Sequence, residues 1–219
     1  ESKLNKLKNK ILTKKISTKT INPKIENIIF PLIRKNLSMK EKNGTQTKWI
    51  LDLRVNDKIL KYLNHSKLKD FSQRGPVTPD HVIRIKPKPL ILNIKNVKAD
   101  KLDKVIQKEI QKFKINYHKY FLKNKKYVLK PIELDPNPRL LFIPGLGLIG
   151  IGRSKKEAII ASDLAETTID VISKAESFGK FKSIPDKEIF KVEYWPLEQA
   201  KLKRLKRKSL TGHVTIISG

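Results

Sequence analysis

A glycine-rich segment is the first pattern in this sequence that could carry chemistry. Residues 145–150 read Gly-Leu-Gly-Leu-Ile-Gly, which matches the spacing G-x-G-x-x-G, and Asp170 lies 20 residues after the last glycine. That spacing is typical of a dinucleotide-binding turn, in which a helix begins at the third glycine and its N-terminus faces the pyrophosphate. Here the helix is predicted to begin only at Ser154, and Asp170 falls inside it. The segment therefore favours a β-hairpin, with strands at 140–143 and 148–151, over a nucleotide site.

A second segment brings three basic side chains close together in the sequence: Arg74, His81 and Arg84. They flank residues 75–79, Gly-Pro-Val-Thr-Pro, whose glycine and prolines are typical of a rigid turn. Because guanidinium groups bind phosphate through paired N–H donors, we predict that these three side chains bind a sugar phosphate. The alternative is a structural turn in which Asp80 caps a nearby backbone N–H, and the residues leave both interpretations open.

Side chains that could ligate a metal are few and scattered. Cysteine is absent, which excludes a disulfide scaffold, a Cys-ligated zinc site, an iron–sulfur cluster and a Cys nucleophile. The histidines are His65, His81, His118 and His213, and no two of them lie within four residues of each other. We therefore expect neither a metal site nor a catalytic residue within this sequence.

Lysine dominates the charge of the chain. The 219 residues carry 49 Lys and Arg against 21 Asp and Glu, a formal charge of +28, and only 8 of the basic residues are Arg. A basic chain invites a nucleic-acid partner, because neutralised phosphates release counterions. Base recognition relies on Arg, however, and the lysines are spread over nearly every segment, so the composition does not favour nucleic acid. A non-catalytic basic module that binds acidic polymers or nucleic acid stays open as the alternative function.

The ends and the hydrophobicity of the chain define its class. At 38% hydrophobic residues the chain can bury a core, and its length suits one domain or two small ones. No apolar run approaches the roughly 18–20 residues that span a bilayer, so we expect a cytoplasmic protein without a membrane partner. The sequence begins at Glu1 and stops at Gly219, directly after an apolar run, and we expect it to be a piece of a longer polypeptide.

Two long helices are the clearest structural predictions. From Asp100 to Lys123, apolar residues recur every three or four positions and form one stripe. Ser154 and Glu157 form a capping box that opens a second helix, and Gly179 is predicted to end it in a left-handed conformation. The shorter predicted elements are strands at 49–55, 81–86, 90–94 and within 210–219, helices at 56–63 and 197–208, a mixed segment at 25–37 broken by Pro31, and a helical or frayed lead-in at 1–22.

Three segments, taken together and in this order, resemble one protein family. They are Ser72–Arg84, Pro144–Ala158 and Val192–Leu202, the last of which reads Val-Glu-Tyr-Trp-Pro-Leu-Glu-Gln-Ala-Lys-Leu. They are similar to bifunctional proteins that fuse a class II aldolase of the rhamnulose-1-phosphate type to a short-chain dehydrogenase. The resemblance covers about residues 45–219.

The resemblance implies that the aldolase chemistry lies outside this chain. The family's aldolase part uses histidine ligands for a divalent metal such as zinc, and an acid/base carboxylate, which would lie before Glu1. A His-Gly pair occupies one turn of the active form, and here that turn reads Pro144-Gly145-Leu146-Gly147. The missing ligand implies a degenerate or accessory aldolase-like domain.

The resemblance also places the start of a nucleotide-binding domain at the C-terminus. Leu210–Gly219 resembles the first strand of the dehydrogenase, whose loop has the pattern T-G-x-x-x-G-x-G. Ser218 and Gly219 match its first two positions, with Ser in place of Thr, and are the predicted residues for binding NAD or NADP. The remaining glycines and the catalytic Tyr and Lys would lie after this chain.

These observations predict an α/β fold in which a mostly antiparallel, class II aldolase-like sheet with helices is followed by the first strand of a Rossmann domain. The predicted division is a lead-in at 1–44, the aldolase-like domain at 45–185, a linker helix at 186–209 and the dehydrogenase start at 210–219. The expected function is that of an internal part, mainly scaffold and inactive alone, of a bifunctional enzyme of rhamnose or related carbohydrate metabolism. Its expected partners are a sugar phosphate or aldehyde substrate and, in the full-length protein, further copies of itself.

Overall fold

The computed structural model describes residues 23–39, 44 and 46–203. Two 3₁₀ turns, at Ala99–Lys101 and Lys125–Tyr127, flank the helix Leu102–Asn124. Within the described residues the elements in chain order are α1 (Pro23–Leu37), β1 (Ile50–Arg54), α2 (Asp57–Leu63), α3 (Leu68–Phe71), α4 (Pro79–Ile85), β2 (Leu90–Ile91), α5 (Leu102–Asn124), β3 (Leu140–Ile143), β4 (Gly147–Gly152), α6 (Lys155–Phe178), α7 (Asp186–Glu193) and α8 (Pro196–Lys203).

The four strands form one sheet in the order β1-β4-β3-β2. The β1–β4 and β3–β4 pairs are antiparallel, and only the short β2 runs parallel to its neighbour β3. This confirms the prediction of a mixed α/β fold with a mostly antiparallel sheet. The predicted Rossmann strand, with Ser218 and Gly219, lies outside the described residues, as do residues 1–22 of the lead-in predicted at 1–44.

Helices cover both faces of the sheet. Helices α1 and α5 pack on one face, where Leu141, Ile143, Ile149 and Ile151 point into the core. Helix α6 packs on the other face, against Leu140, Phe142 and Leu148. Because both faces are covered, β3 and β4 are apolar along their whole length rather than alternating. Helix α1 lies inside the predicted lead-in, yet its residues Ile29, Ile33 and Leu37 are fully buried in this core.

The predicted hairpin is confirmed, and its glycines each have a structural reason. Gly145 and Gly147 have φ angles of +81° and +151° in the turn between β3 and β4. Gly150 faces α6, and a Cβ there would overlap the Ala158 carbonyl oxygen and lie 2.7 Å from the Ser162 backbone nitrogen. The third glycine of the motif therefore allows a helix to pack closely on a strand, and the pattern is not a nucleotide-binding turn.

The predicted strand at 81–86 is wrong, because these residues form helix α4. Thr78 has an extended backbone, and Pro79 lies in the first turn of α4. Proline is favoured there because an N–H at this position would have no partner within the helix, and because its fixed φ angle is helical. His81 and Ile85, four residues apart, are both buried. The alternation of polar and apolar residues over six positions did not distinguish a strand from a short buried helix of seven residues.

Two other local predictions are also corrected. Pro31 lies inside the continuous helix α1 instead of breaking the segment 25–37. The helix tolerates it because apolar residues at a spacing of four bury one face completely. Gly179 has φ −174° and ψ −128°, so the residue after α6 is extended and not left-handed.

We expect Gly150→Ala to lower the free energy of unfolding by about 2–3 kcal/mol, because the added methyl group forces α6 away from β4. Urea unfolding followed by circular dichroism measures this. Gly179→Ala is the matched control, since nothing lies within 4 Å of a Cβ at that position. It should leave stability unchanged or raise it by up to about 1 kcal/mol. Equal effects of the two substitutions would contradict the close packing.

Candidate functional site

Arg74, the first residue of the predicted anion-binding cluster, is fully engaged with protein groups. Its Nη1 donates to Glu176 Oε1 at 2.6 Å and to the carbonyl oxygen of Phe181 at 3.1 Å. Its Nε donates to Asp70 Oδ1 at 3.1 Å, and Nη2 is also paired with Asp70. The guanidinium therefore ties α3 to the C-terminal part of α6.

His81 is 2% exposed and is bound through both ring nitrogens. Its Nε2 lies 3.1 Å from the Leu164 carbonyl oxygen and donates to it, so that Nδ1 accepts from the Thr78 hydroxyl at 2.6 Å. Burial lowers the pKa of His81, which favours this neutral ring. The side chain thereby fixes α4 to the middle of α6.

The structure does not bring Arg74 and His81 to one point. Their contacts on α6, at Glu176 and Leu164, are separated by twelve residues, or about 18 Å of helix. Arg84 is half-buried on α4, three residues after His81. Substrate binding by these three residues stays a prediction, and the contacts of two of them are structural.

A different polar cluster, which was not predicted from the sequence, lies where α4, α5 and α7 meet. Lys86 follows α4 with a φ of +72° and is 7% exposed, and Glu193 ends α7 and is 1% exposed. The Lys86 Nζ lies 3.9 Å from Glu193 Oε1 and 3.7 Å from the centre of the Tyr117 ring. The ammonium thus sits between a carboxylate and an aromatic face, an arrangement that stabilises a desolvated cation.

Three tyrosines surround the Glu193 carboxylate. The Tyr117 hydroxyl donates to Glu193 Oε1 at 2.8 Å and lies 3.0 Å from the Tyr194 hydroxyl. Tyr194 in turn accepts from the Leu134 backbone N–H at 3.3 Å. The buried Glu193 Oε2 and Tyr120 hydroxyl make no hydrogen bond of normal geometry in the described part of the chain, although the two groups lie close enough to interact. We name Lys86, Tyr117, Tyr120, Glu193 and Tyr194 the lysine–tyrosine cluster.

Burial shifts the pKa of every member of this cluster. It lowers the pKa of Lys86 to about 8, against the attraction of Glu193. It also raises the pKa of Glu193, against the attraction of Lys86 and the hydrogen bond from Tyr117. The pKa of Tyr194 rises to about 12 for the same reason. Side chains whose pKa values are shifted by burial beside a charged partner are candidates for a functional site.

A cavity of about 360 Å³ adjoins the lysine–tyrosine cluster. The rings of Tyr117 and Tyr120 form part of its wall, and Gln73, Asn116, Asp186 and three lysines complete its polar lining. The cluster therefore lies directly behind a space that a small molecule could enter.

A comparison with protein families identifies this architecture. The model of the family "aldolase class II, second domain" matches residues 24–202. The chain belongs to this aldolase class II family. It is also 31% identical over 176 residues to the uncharacterized oxidoreductase YuxG of Bacillus subtilis (strain 168), which covers 80% of this chain and 24% of that protein. The chain thus spans about a quarter of the length of this relative. No solved structure matches it.

The described residues do not fit the divalent metal that class II aldolases commonly use. In the ranges 23–39, 44 and 46–203, no group of three or more His, Asp or Glu side chains is placed to hold a metal ion. The turn between β3 and β4, Pro144-Gly145-Leu146-Gly147, offers no side-chain ligand, and Leu146 is 1% exposed. Nor, in this part of the chain, is any helix long and apolar enough to cross a membrane.

The sequence contained partial signals for the lysine–tyrosine cluster of this aldolase class II domain. Glu193 and Tyr194 lie in the third segment that resembles the family, and Lys86 follows the first such segment by two residues. Lys86 itself stands in a Lys-Pro-Lys-Pro stretch that reads as exposed. Its burial depends on the meeting of three helices and could not be predicted from local sequence.

We expect the Lys86–Glu193 pair to show strong coupling in a double-mutant cycle. Lys86→Met and Glu193→Gln should each lower the free energy of unfolding by about 3–5 kcal/mol, because each leaves a buried charge unpaired. The loss of unfolding free energy in the double variant should be smaller than the sum of the two single losses, by more than about 1 kcal/mol. The exposed pair Lys58 and Asp170 is the control, and Lys58→Met with Asp170→Asn should be additive within about 0.5 kcal/mol. Additivity at the buried pair would contradict the arrangement.

The stability cost of Lys86 should also depend on pH. Between the lowered pKa of about 8 and the ordinary value of 10.5, the unfolded chain keeps a proton that the folded chain has lost. The free energy of unfolding that depends on Lys86 therefore rises with pH in this window. In a Glu193→Gln background Lys86 loses the attraction of the carboxylate, so the pH range in which the folded chain has lost this proton begins at a lower pH. In that background, Lys86→Met should raise the free energy of unfolding at pH 7 and should raise it much less at pH 10. Urea unfolding at both pH values measures this, and an unchanged difference would contradict it.

Proposed function

We propose that this chain is the accessory aldolase-like domain of a bifunctional enzyme of sugar metabolism. In the complete protein, a class II aldolase part cleaves a ketose phosphate of the rhamnulose-1-phosphate type, and a fused short-chain dehydrogenase uses NAD or NADP on an aldehyde or alcohol. The match to the aldolase class II second domain supports the first half of this proposal, and the oxidoreductase name of a much longer relative supports the second.

The proposed role of this domain is scaffolding, and the turn between β3 and β4 carries that proposal. Where the family's active form has a His-Gly pair, this turn has Pro144, Gly145 and a buried Leu146. A turn without a ligand can complete the sheet but cannot bind the divalent metal. The metal ligands and the acid/base carboxylate are therefore assigned to other parts of the complete protein, which we propose to be a cytoplasmic homo-oligomer.

The nucleotide site is proposed at the other end of the chain. Ser218 and Gly219 match the start of the dehydrogenase loop in sequence, and they lie outside the described residues. Helix α8 (Pro196–Lys203) follows α7, which ends at Glu193 of the lysine–tyrosine cluster. The first half of the linker predicted at 186–209 packs on the fold, because Ile189 and Phe190 are buried.

A basic interaction module is the second candidate function, and the charge of +28 is the observation that favours it. Binding of duplex DNA or of polyphosphate at physiological ionic strength would support it. Loss of that binding between about 50 and 200 mM salt is expected for non-specific contacts of this kind.

The aldolase–dehydrogenase proposal predicts a division of activity between the chain and the complete protein. The polypeptide that contains this chain should cleave a ketose 1-phosphate when a divalent metal is present and should reduce NAD with an aldehyde. The 219-residue chain, folded by circular dichroism, should do neither and should retain no stoichiometric zinc after dialysis. Turnover of a sugar phosphate by the chain alone would overturn the scaffold role. A complete protein inactive in both assays would overturn the proposed enzyme.

A further inference from the structure

The cavity beside the lysine–tyrosine cluster has an excess of positive charge. Lys88, Lys119 and Lys123 line it, against a single carboxylate, that of Asp186. None of the three lysines forms an ion pair within the part of the chain that the structure describes, whereas lysines elsewhere, such as Lys155 with Asp52, do. Lys119 and Lys123 stand four residues apart on α5, so their ammonium groups are neighbours that repel each other. An anion in the cavity would relieve this repulsion.

The wall of the cavity is aromatic. Phe113, Tyr117 and Tyr120 lie on one side of α5 and face the cavity together. The Lys86 ammonium lies over the Tyr117 ring, 3.7 Å from the ring centre, and this cation–π contact holds the ring in place. An aromatic wall accepts the C–H face of a small organic molecule, which a bare inorganic ion does not have.

Two amides complete the lining and can bind hydroxyl groups. Gln73 is held in place because its Nε2 donates to the Pro89 carbonyl oxygen at 3.0 Å, and its carbonyl oxygen remains as an acceptor. Asn116 is exposed and carries both a donor and an acceptor. The cavity thus offers ammonium groups for a charge, an aromatic wall for a carbon skeleton and amides for hydroxyls.

The size of the cavity restricts the ligand. Its volume of about 360 Å³ is close to the lower limit of the roughly 300–1,000 Å³ that is typical of small-molecule sites. A second cavity, of about 430 Å³, shares Gln73, Phe113 and Asn116 with it and continues along α5. The volume of the first cavity therefore points to a ligand as small as a monosaccharide with one phosphate group.

From this combination we propose that the cavity between α5, Gln73 and Lys88 is a binding site for a phosphorylated monosaccharide. Lys88, Lys119 and Lys123 bind the phosphate group, the rings of Phe113, Tyr117 and Tyr120 pack against the sugar carbons, and Gln73 and Asn116 bind its hydroxyls. Occupancy of this site brings the ligand against the tyrosines that surround Glu193.

Isothermal titration calorimetry of the complete chain at 150 mM salt tests the proposal with three probes: fructose 1-phosphate, inorganic phosphate and fructose. Fructose 1-phosphate should bind saturably, at least tenfold more tightly than either of the others. Binding is measured without turnover, so its result is independent of the activity test for the proposed enzyme. Equal affinity for inorganic phosphate would overturn the assignment. The absence of saturable binding of fructose 1-phosphate at concentrations up to about 10 mM would also overturn it.

A matched pair of double variants separates this site from the general charge of the chain. Lys119→Met with Lys123→Met removes two charges from the cavity, and Lys104→Met with Lys108→Met removes two exposed charges from the same helix at the same spacing. The first variant should weaken fructose 1-phosphate binding at least tenfold, and the second by less than twofold. All four positions are exposed, so both variants should fold. Equal loss in the two variants would show non-specific attraction and overturn the site.

Discussion

The close approach of α6 to β4 is the constraint on which the rest of this fold depends. Gly150 and Gly152 present no side chain to the helix, and a Cβ at either position would overlap its backbone. At this short distance the Ser162 hydroxyl reaches past β4 and donates to the Asp52 carbonyl oxygen on β1 at 3.1 Å. Arg54 adds ion pairs from β1 to Asp163 and Glu166 at 2.6 and 2.8 Å. The helix therefore holds two strands at once, and glycine at these positions is a packing requirement.

Once α6 is docked, it serves as the platform for the segment that leads to the lysine–tyrosine cluster. His81 binds the Leu164 carbonyl oxygen and so fixes α4 on α6. Helix α4 ends at Ile85, and the next residue, Lys86, turns with a positive φ toward Tyr117. The hydrogen bond of His81 to α6 is thus a contact that positions Lys86, whereas Arg74 binds Asp70 and Glu176 and ties α3 to α6. A cluster formed by three helices depends in this way on one helix–sheet contact.

The parts of the fold that the sequence predicted are those specified by local patterns. The capping box holds, with the Ser154 Oγ accepting from the Glu157 N–H at 3.2 Å, and the Asn56 cap accepts from the Ile59 N–H at 2.9 Å. The hairpin at 140–152 could be separated from a nucleotide turn because the helix start was visible in the sequence. The errors arise where tertiary packing overrides a local signal. Pro31 is tolerated inside α1 because one face of that helix is fully buried. The six residues from His81 fit a short buried helix as well as a strand.

The candidate site could not be predicted by the same means, because its chemistry comes from burial and not from spacing. Lys86, Tyr117 and Glu193 are separated by 31 and 76 residues, and nothing in their local sequence distinguishes Lys86 from the other lysines. Burying a lysine and a glutamate together costs several kcal/mol of desolvation, which a contact of 3.9 Å recovers only in part. Apolar side chains of the same size would fill this junction at lower cost. This costly ion pair lies directly behind the lysine-lined cavity, where the Lys86 ammonium contacts the Tyr117 ring of the cavity wall, so its cost is linked to the ligand site proposed there.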